Sequence, residues 1–166
     1  YDVTAPVFSS VSPSTSSTGS STKVSYTLSE PISYGTMTIT RTGGSSDPSS
    51  PHVIQLDGAE LNAGVFNGVL TNAPTLVDGA IYSVSFDGLD FGGNTAATVT
   101  STSVTFDVTA PVFSDISPTT SSVVNSADVA YTLSESLASG TVTFTPTGES
   151  EDTTFSLVVN LTGIEL

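Results

Sequence analysis

The chain has 166 residues, a formal net charge of −14 and no cysteine. Two basic residues against 16 carboxylates argue against nucleic acid, whose phosphates need Lys and Arg. They also argue against anionic lipid unless a cation bridges the two. Disulfides and thiolate metal sites are excluded, and no apolar run reaches membrane-spanning length. Acidity at this level suits salt water, divalent cations or simple solubility. Ser and Thr together supply 56 residues. Thr favours strands and Ser favours turns, a composition that fits an extracellular β-protein. Any targeting or anchoring segment of such a protein is expected outside this sequence.

One stretch is spelled twice. Asp2-Val3-Thr4-Ala5-Pro6-Val7-Phe8-Ser9 returns 105 residues later as Asp107-Val108-Thr109-Ala110-Pro111-Val112-Phe113-Ser114. Without a gap, 33 of the 61 comparable positions are identical. A fixed period with this identity means tandem copies of one folding unit. Residues 1–105 form one complete repeat, and 106–166 match only the first part of another. Tyr1 matches Phe106, the end of a repeat. The expectation is a window on a longer array.

In chain order, Asp2 to Pro6 reads as a stiff linker, because Pro6 fixes φ and holds Ala5 extended. Residues 7–11 read as a short strand closed by Pro13, and 13–22 as a Ser/Thr-rich turn. Val24, Tyr26 and Leu28 alternate with polar residues in a half-buried strand. A loop over 29–34 carries Glu30 near its start. Thr36 to Thr40 is a third strand, 43–50 a turn, and 52–56 a fourth strand. Asp57-Gly58 signals a tight turn. Within 59–75, Val65, Phe66, Val69 and Leu70 fit a strand or one helical turn, and the expectation is an irregular strand. Tyr82, Val84 and Phe86 alternate into a core. Asp87 to Asn94 reads as a loop, followed by a last strand over 95–106. Ala97 and Val99 are out of phase with Val104 and Phe106, which predicts a bulge near 100–103. About seven short strands with regular turn signals predict an all-β fold of antiparallel β-sandwiches.

The spacing Leu76-x-Asp78-Gly79-x-x-Tyr82 resembles the tyrosine corner of Ig-like and fibronectin-type sandwiches, in which the Tyr hydroxyl bonds the turn backbone. An ordinary core Tyr would alternate in the same way without that bond. Three further motifs go with it: Asp-x-Thr-Ala-Pro at the start, Thr27-Leu28-Ser29-Glu30 after the second strand, and Asp90-x-x-Gly93-Asn94 before the last. Together they resemble the Ig-like repeats of large bacterial surface proteins. In those the last motif usually runs Asp-x-Ala-Gly-Asn, and Gly92 stands here where Ala would be. The resemblance implies tandem Ig-like or fibronectin-III-like domains in extracellular rods such as adhesins, surface-layer components and fibre subunits, many of which bind calcium at domain junctions.

An Ig-like topology would bring the start of the domain and two loops to one pole. That gathers Asp2, Glu30, Asp87, Asp90 and Asn94, with Asp107 and Glu135 as their counterparts in the second copy. Carboxylate and amide oxygens suit Ca2+. Asp and Asn also populate loops simply by bonding local backbone.

No catalytic constellation appears. His52 is the only histidine, and Leu157 replaces it in the second copy. Asp57 and Glu60 resemble a carboxylate pair, but Asp57 is matched by Thr162, and Glu60 and Glu165 read as strand-end residues. No Gly-x-Ser-x-Gly elbow occurs. Asn160-Leu161-Thr162 is a glycosylation sequon, absent at the matching place in the first copy.

The expectation is therefore a non-enzymatic structural module of a rod, filament or adhesin stalk, partnered by further copies of its own repeat. A glycan- or surface-binding module of a secreted protein or hydrolase is the alternative, with Tyr34 its clearest loop aromatic. The matched part of the second copy lacks counterparts of Tyr82, Val84, Phe86 and the last strand. Strands donated by a neighbour, or by the rest of the same polypeptide, are expected to complete it.

Overall fold

Alternating Val, Ile, Tyr, Phe and Thr give strands one apolar and one polar face, and burying the apolar faces brings two sheets together. In the computed structural model, which describes residues 2–146 and 156–166, the chain is all-β apart from two single 3-10 turns. Tyr1 lies outside the described residues. Contacts divide the chain into two units, Tyr1–Thr109 and Ala110–Leu166.

The first unit has eight strands: β1 (Phe8–Ser12), β2 (Thr18–Gly19), β3 (Lys23–Leu28), β4 (Ile32–Gly44), β5 (His52–Gln55), β6 (Gly64–Val69), β7 (Ala80–Asp90) and β8 (Val99–Phe106). One sheet has the order β1-β3-β6, the other β2-β8-β7-β4-β5. Their inner faces share one core. Phe8 and Tyr26 of the first sheet meet Phe86 of the second at centroid distances of 5.9 and 5.7 Å, in the tilted geometries that aromatic rings favour.

Four features differ from the sequence expectation. The first is β4, which starts at Ile32 inside the expected loop and runs on to Gly44 where a turn was expected from Gly43, because β7 pairs with it from Ile32↔Asp90 to Gly44↔Ala80. At that far end a Cβ on Gly44 would collide with the Gly79 carbonyl, and φ is +65°, so glycine is required. The second is the Ser/Thr-rich segment, which is not a free turn. Its Ser16 N–H donates to Thr102 O, and Thr105 and Asp107 donate to Ser17 and Gly19. β2 thereby runs parallel to β8, and the sheet is mixed rather than purely antiparallel. The edge of β8 obtains partners that it would otherwise lack. Third, residues 64–69 form a regular strand, with β6 paired to β3 from Lys23↔Val69 to Leu28↔Gly64. Fourth, β7 continues through Asp90, so Asp87 is a strand residue, and the last strand starts at Val99 rather than at Thr95.

The bulge is present. Between Tyr82↔Val104 and Val84↔Ser101 the register of β7 and β8 shifts, with Ser103 at φ 56°. Tyr82 is 1% exposed. Its hydroxyl accepts from Val77 N–H at 3.0 Å, as the corner pattern predicts, and donates to Asp47 Oδ2 at 2.9 Å.

The second unit contains β9 (Phe113–Ser117), β10 (Ala130–Leu133), β11 (Thr141–Phe144) and β12 (Leu157–Asn160). β9 pairs with β10 and β11 with β12. Each strand falls on its sequence counterpart in β1, β3, β4 and β5. The details repeat as well. Phe8–Tyr26 and Phe113–Tyr131 are edge-on pairs at 5.4 and 5.2 Å. Tyr26 Oη donates to Glu60 O, and Tyr131 Oη to Glu165 O, both at 2.7 Å. Residues with φ near +50° recur at Ser10 and Asp115.

Replacing Tyr82 with Phe strips Val77 N–H and the Asp47 carboxylate of a partner while keeping the ring. Tyr82→Phe is expected to destabilise the first unit by about 1–3 kcal/mol, the range for leaving buried polar groups unpaired. Urea denaturation followed by far-UV circular dichroism measures it. An unchanged midpoint would reduce Tyr82 to a packing residue.

Candidate cation site

Strand periodicity decides which acidic residues meet. Along β7 the buried positions are Ala80, Tyr82, Val84, Phe86, Gly88 and Asp90. Asp90 thus sits on the inward face at the strand end, 3% exposed. Asp87, three residues earlier, points to the other face, since strand side chains alternate. There its carboxylate accepts a bond from the Thr98 hydroxyl. The structure does not bring Asp87 to the cluster.

Asp2, Glu30 and Asp90 do come together. One oxygen of each lies within 4.8 Å of the others. The segment before β1 is fixed against β3 and β7: Val7 N–H donates to Ser29 Oγ, Ser29 N–H to Val7 O, and Asn94 Nδ2 to Asp2 O. Pro6 is fully buried, so the predicted linker is partly core. Asp2 also accepts from Thr4 N–H through Oδ1 at 2.9 Å.

Asn94 stands beside the cluster as a donor. Its N–H and Nδ2 bond the two Asp90 oxygens, each at 2.7 Å. These bonds orient Asp90 and hold its carboxyl below the usual range, the Asn94 side chain being the largest cause. Glu30 is pushed the other way, first by desolvation and then by the charges of Asp2 and Asp90. The two shifts fit one arrangement: Asp90 is fixed as an anion, and Glu30 is the carboxylate that crowding penalises.

Gly92 explains the departure from the Ala of the resembled motif. A Cβ there would lie 3.1 Å from Asn94 Nδ2 and 3.3 Å from both Asp2 Cβ and Asp90 Oδ1. A methyl group would press on Asn94, Asp2 and Asp90.

Three carboxylates facing one point fit a hard divalent cation. They supply three oxygens, so water or backbone carbonyls would complete the shell. Of the second-copy residues, Asp107 repeats the Asp2 turn, accepting from Thr109 N–H at 3.1 Å. Glu135 follows β10 in the second unit as Glu30 follows β3, and is half-buried.

Two polar centres were not anticipated. Asp47, 7% exposed, accepts from Tyr82, from Ser49 N–H at 3.0 Å, and pairs with His52 Nε2 at 2.7 Å. The His52 bond is the largest cause holding the Asp47 carboxyl below its ordinary range. His52 thus has a carboxylate partner, which its place in a strand did not reveal. Glu60, 3% exposed, accepts from Asp57 N–H through Oε2 and from Thr71 N–H and Oγ1 through Oε1. The available signal was internal repetition, since Asp47 and Glu60 return as Asp152 and Glu165. Comparison with protein-family models, curated proteins and solved structures gave no match.

The shifts set a pH dependence. Asp47, Asp78 and Asp90 titrate lower folded than unfolded. Their contribution is full above the unfolded value of about 3.9 and is lost as pH falls through the folded values. Glu30 has the opposite sign: its contribution is full below the unfolded value of about 4.3 and is lost as pH rises through its folded value. Carboxyl NMR titration is expected to find Glu30 above Asp90, with Asp2→Asn lowering the Glu30 midpoint. A Glu30 midpoint that ignores Asp2→Asn would mean that the two charges do not face each other in solution.

Proposed function

We propose that this chain is a structural, non-enzymatic module of an extracellular repeat protein, built from tandem Ig-like sandwiches, that forms a rod, filament or adhesin stalk. The observation that carries the reading is repetition in detail. At a spacing of 105 residues the same strands, the same aromatic pair and the same Tyr-to-carbonyl bond recur. Two facing sheets with aromatic contacts across the core, and a corner tyrosine bonded to its turn, support the Ig-like assignment. A module repeated in this way supplies length and stiffness, and its partners are further copies of itself.

Calcium is the proposed stiffener. Ca2+ held by Asp2, Glu30 and Asp90 would tie the segment before β1 to the end of β3 and the end of β7. It would also neutralise charge that otherwise opposes their approach. The glycan-binding alternative draws on Tyr34 and Phe91, 47% and 80% exposed. Ser139 replaces Tyr34 in the second copy, which favours the structural reading.

Two measurements test this. A chain of several consecutive 105-residue repeats is expected to appear as an extended rod by electron microscopy, lengthening evenly with each repeat. Collapsed particles of constant length would sink the rod. Separately, Ca2+ at tenfold its Kd is expected to stabilise the first unit by about 1.4 kcal/mol, seen as a higher Tm that chelator reverses. Asp90→Asn is expected to abolish that difference. A wild-type melting curve indifferent to Ca2+ and chelator would reject calcium while leaving the rod standing.

A further inference from the structure

We propose that β6 is a pairing edge whose partner is β6 of a second copy of this chain, antiparallel and centred on Asn67. The surface belongs to the first unit alone and does not depend on the rod reading. A sheet edge offers unpaired N–H and C=O groups, and proteins normally blunt it. Three of the four edges of this unit are blunted. β1 is bulged between Ser9 and Ser12, with Ser10 at φ 50°. β5 has only four residues behind Pro51, which has no N–H to offer. β2 has two residues.

β6 has none of these devices. Its six residues, Gly-Val-Phe-Asn-Gly-Val, pair with β3 in unbroken register on one side and form the sheet edge on the other. They include no proline and no charge. The strand is also held at both ends. The turn before it is capped by Asp57 and Glu60, and Thr71 beyond it donates twice to Glu60 Oε1. The edge is preorganised, so pairing costs little ordering entropy.

Charge and parity name the partner. With 16 carboxylates in the chain, β1, β3 and β6 contain none, so two copies can meet here without opposing anions. Facing residues in an antiparallel pair share a sheet face. A two-fold axis through Asn67 puts Asn67 against Asn67 and Val65 against Val69 on the outer face. It puts Phe66 against Gly68 on the inner one. Val65 and Val69 are 75% and 59% exposed in the single chain, and the pairing covers both twice. Such an interface is isologous and closes at two copies.

The test uses the full chain, which has no cysteine of its own. In the proposed register two residues at position 67 face each other with Cα atoms about 4.5–5.5 Å apart, within disulfide range. Under mild oxidation Asn67→Cys is expected to give covalent dimer several-fold faster than Val53→Cys, whose thiol stands on β5 at a position 66% exposed. Adding Val65→Lys to Asn67→Cys is expected to bring the rate down to that of Val53→Cys, with circular dichroism showing an intact fold. Association through the second unit would favour neither cysteine. Equal rates for the two cysteine variants overturn the proposal, as does a folded Val65→Lys variant that cross-links as fast as Asn67→Cys alone.

Discussion

The first unit depends on a carboxylate placed where carboxylates are rarely found. Glu60 is 3% exposed with no cation against it; its oxygens are satisfied by two backbone N–H groups and a hydroxyl. Burying a charge is tolerable only with such partners. Glu60 also offers its carbonyl to the hydroxyl of Tyr26, the central aromatic of the three-stranded sheet. One residue therefore ties the turn after β5, the end of β6 and the middle of β3. Tyr26 in turn packs on Phe8, Phe66 and Phe86, so the hydrogen bond fixes the ring that joins the sheets. The second unit repeats the arrangement, with Tyr131 bonding Glu165 O and the Glu165 side chain bonding Thr162 N–H.

Asp47 plays the same part at the other sheet. It is held by Tyr82, His52 and a backbone N–H, and so joins the turn after β4 to β5 and β7. Asp78 then anchors the segment that leaves β8, accepting from Val108 N–H and Thr109 Oγ1, each at 2.7 Å. A chain with only two basic residues cannot neutralise its acids by ion pairs. Backbone N–H groups and hydroxyls hold many of them instead. The cluster of Asp2, Glu30 and Asp90 is where this supply runs short. Asp90 is satisfied by Asn94, whereas Glu30 carries the cost of the crowding.

The strands were legible because alternation of apolar and polar residues is a local signal. β3, β5, the stretch of β7 from Tyr82 to Phe86, the later part of β8 and the bulge follow from it directly. What could not be read depends on partners distant in sequence. The Ser/Thr-rich stretch looks like a turn, since nothing local says that it will lie along β8. The polar ends of β4 look like loops until β7 runs beside them. Asp87 and Asp90 both look like loop ligands. Once β7 extends to Asp90, an odd spacing puts them on opposite faces, and only Asp90 reaches the pole. Glu60 and Asp47 were invisible because a buried carboxylate in a short turn has the same letters as an exposed one.

Internal repetition carries that missing information, because it separates the frame from its surface. Positions shared by the two copies include Phe8, Tyr26, Leu28, Ser29, Gly35, Asp47, Leu56 and Glu60. Most of these are buried or bond backbone. Gly35 shows why a residue with no side chain is held: a Cβ there would lie 2.7 Å from Ile32 and 2.9 Å from Leu56, and one on Gly140 would lie 2.8 Å from Leu161. Positions that differ include Lys23, Tyr34, Arg41 and His52, replaced by Asp128, Ser139, Pro146 and Leu157. All four have some exposure in the first unit, and two are the only cations in the chain. The Glu60 turn and the aromatic pair tied to it are therefore kept from copy to copy, while Lys23, Tyr34, Arg41 and His52 are not. On the proposed rod reading, that frame would set length and stiffness, and each copy could carry a different surface on it.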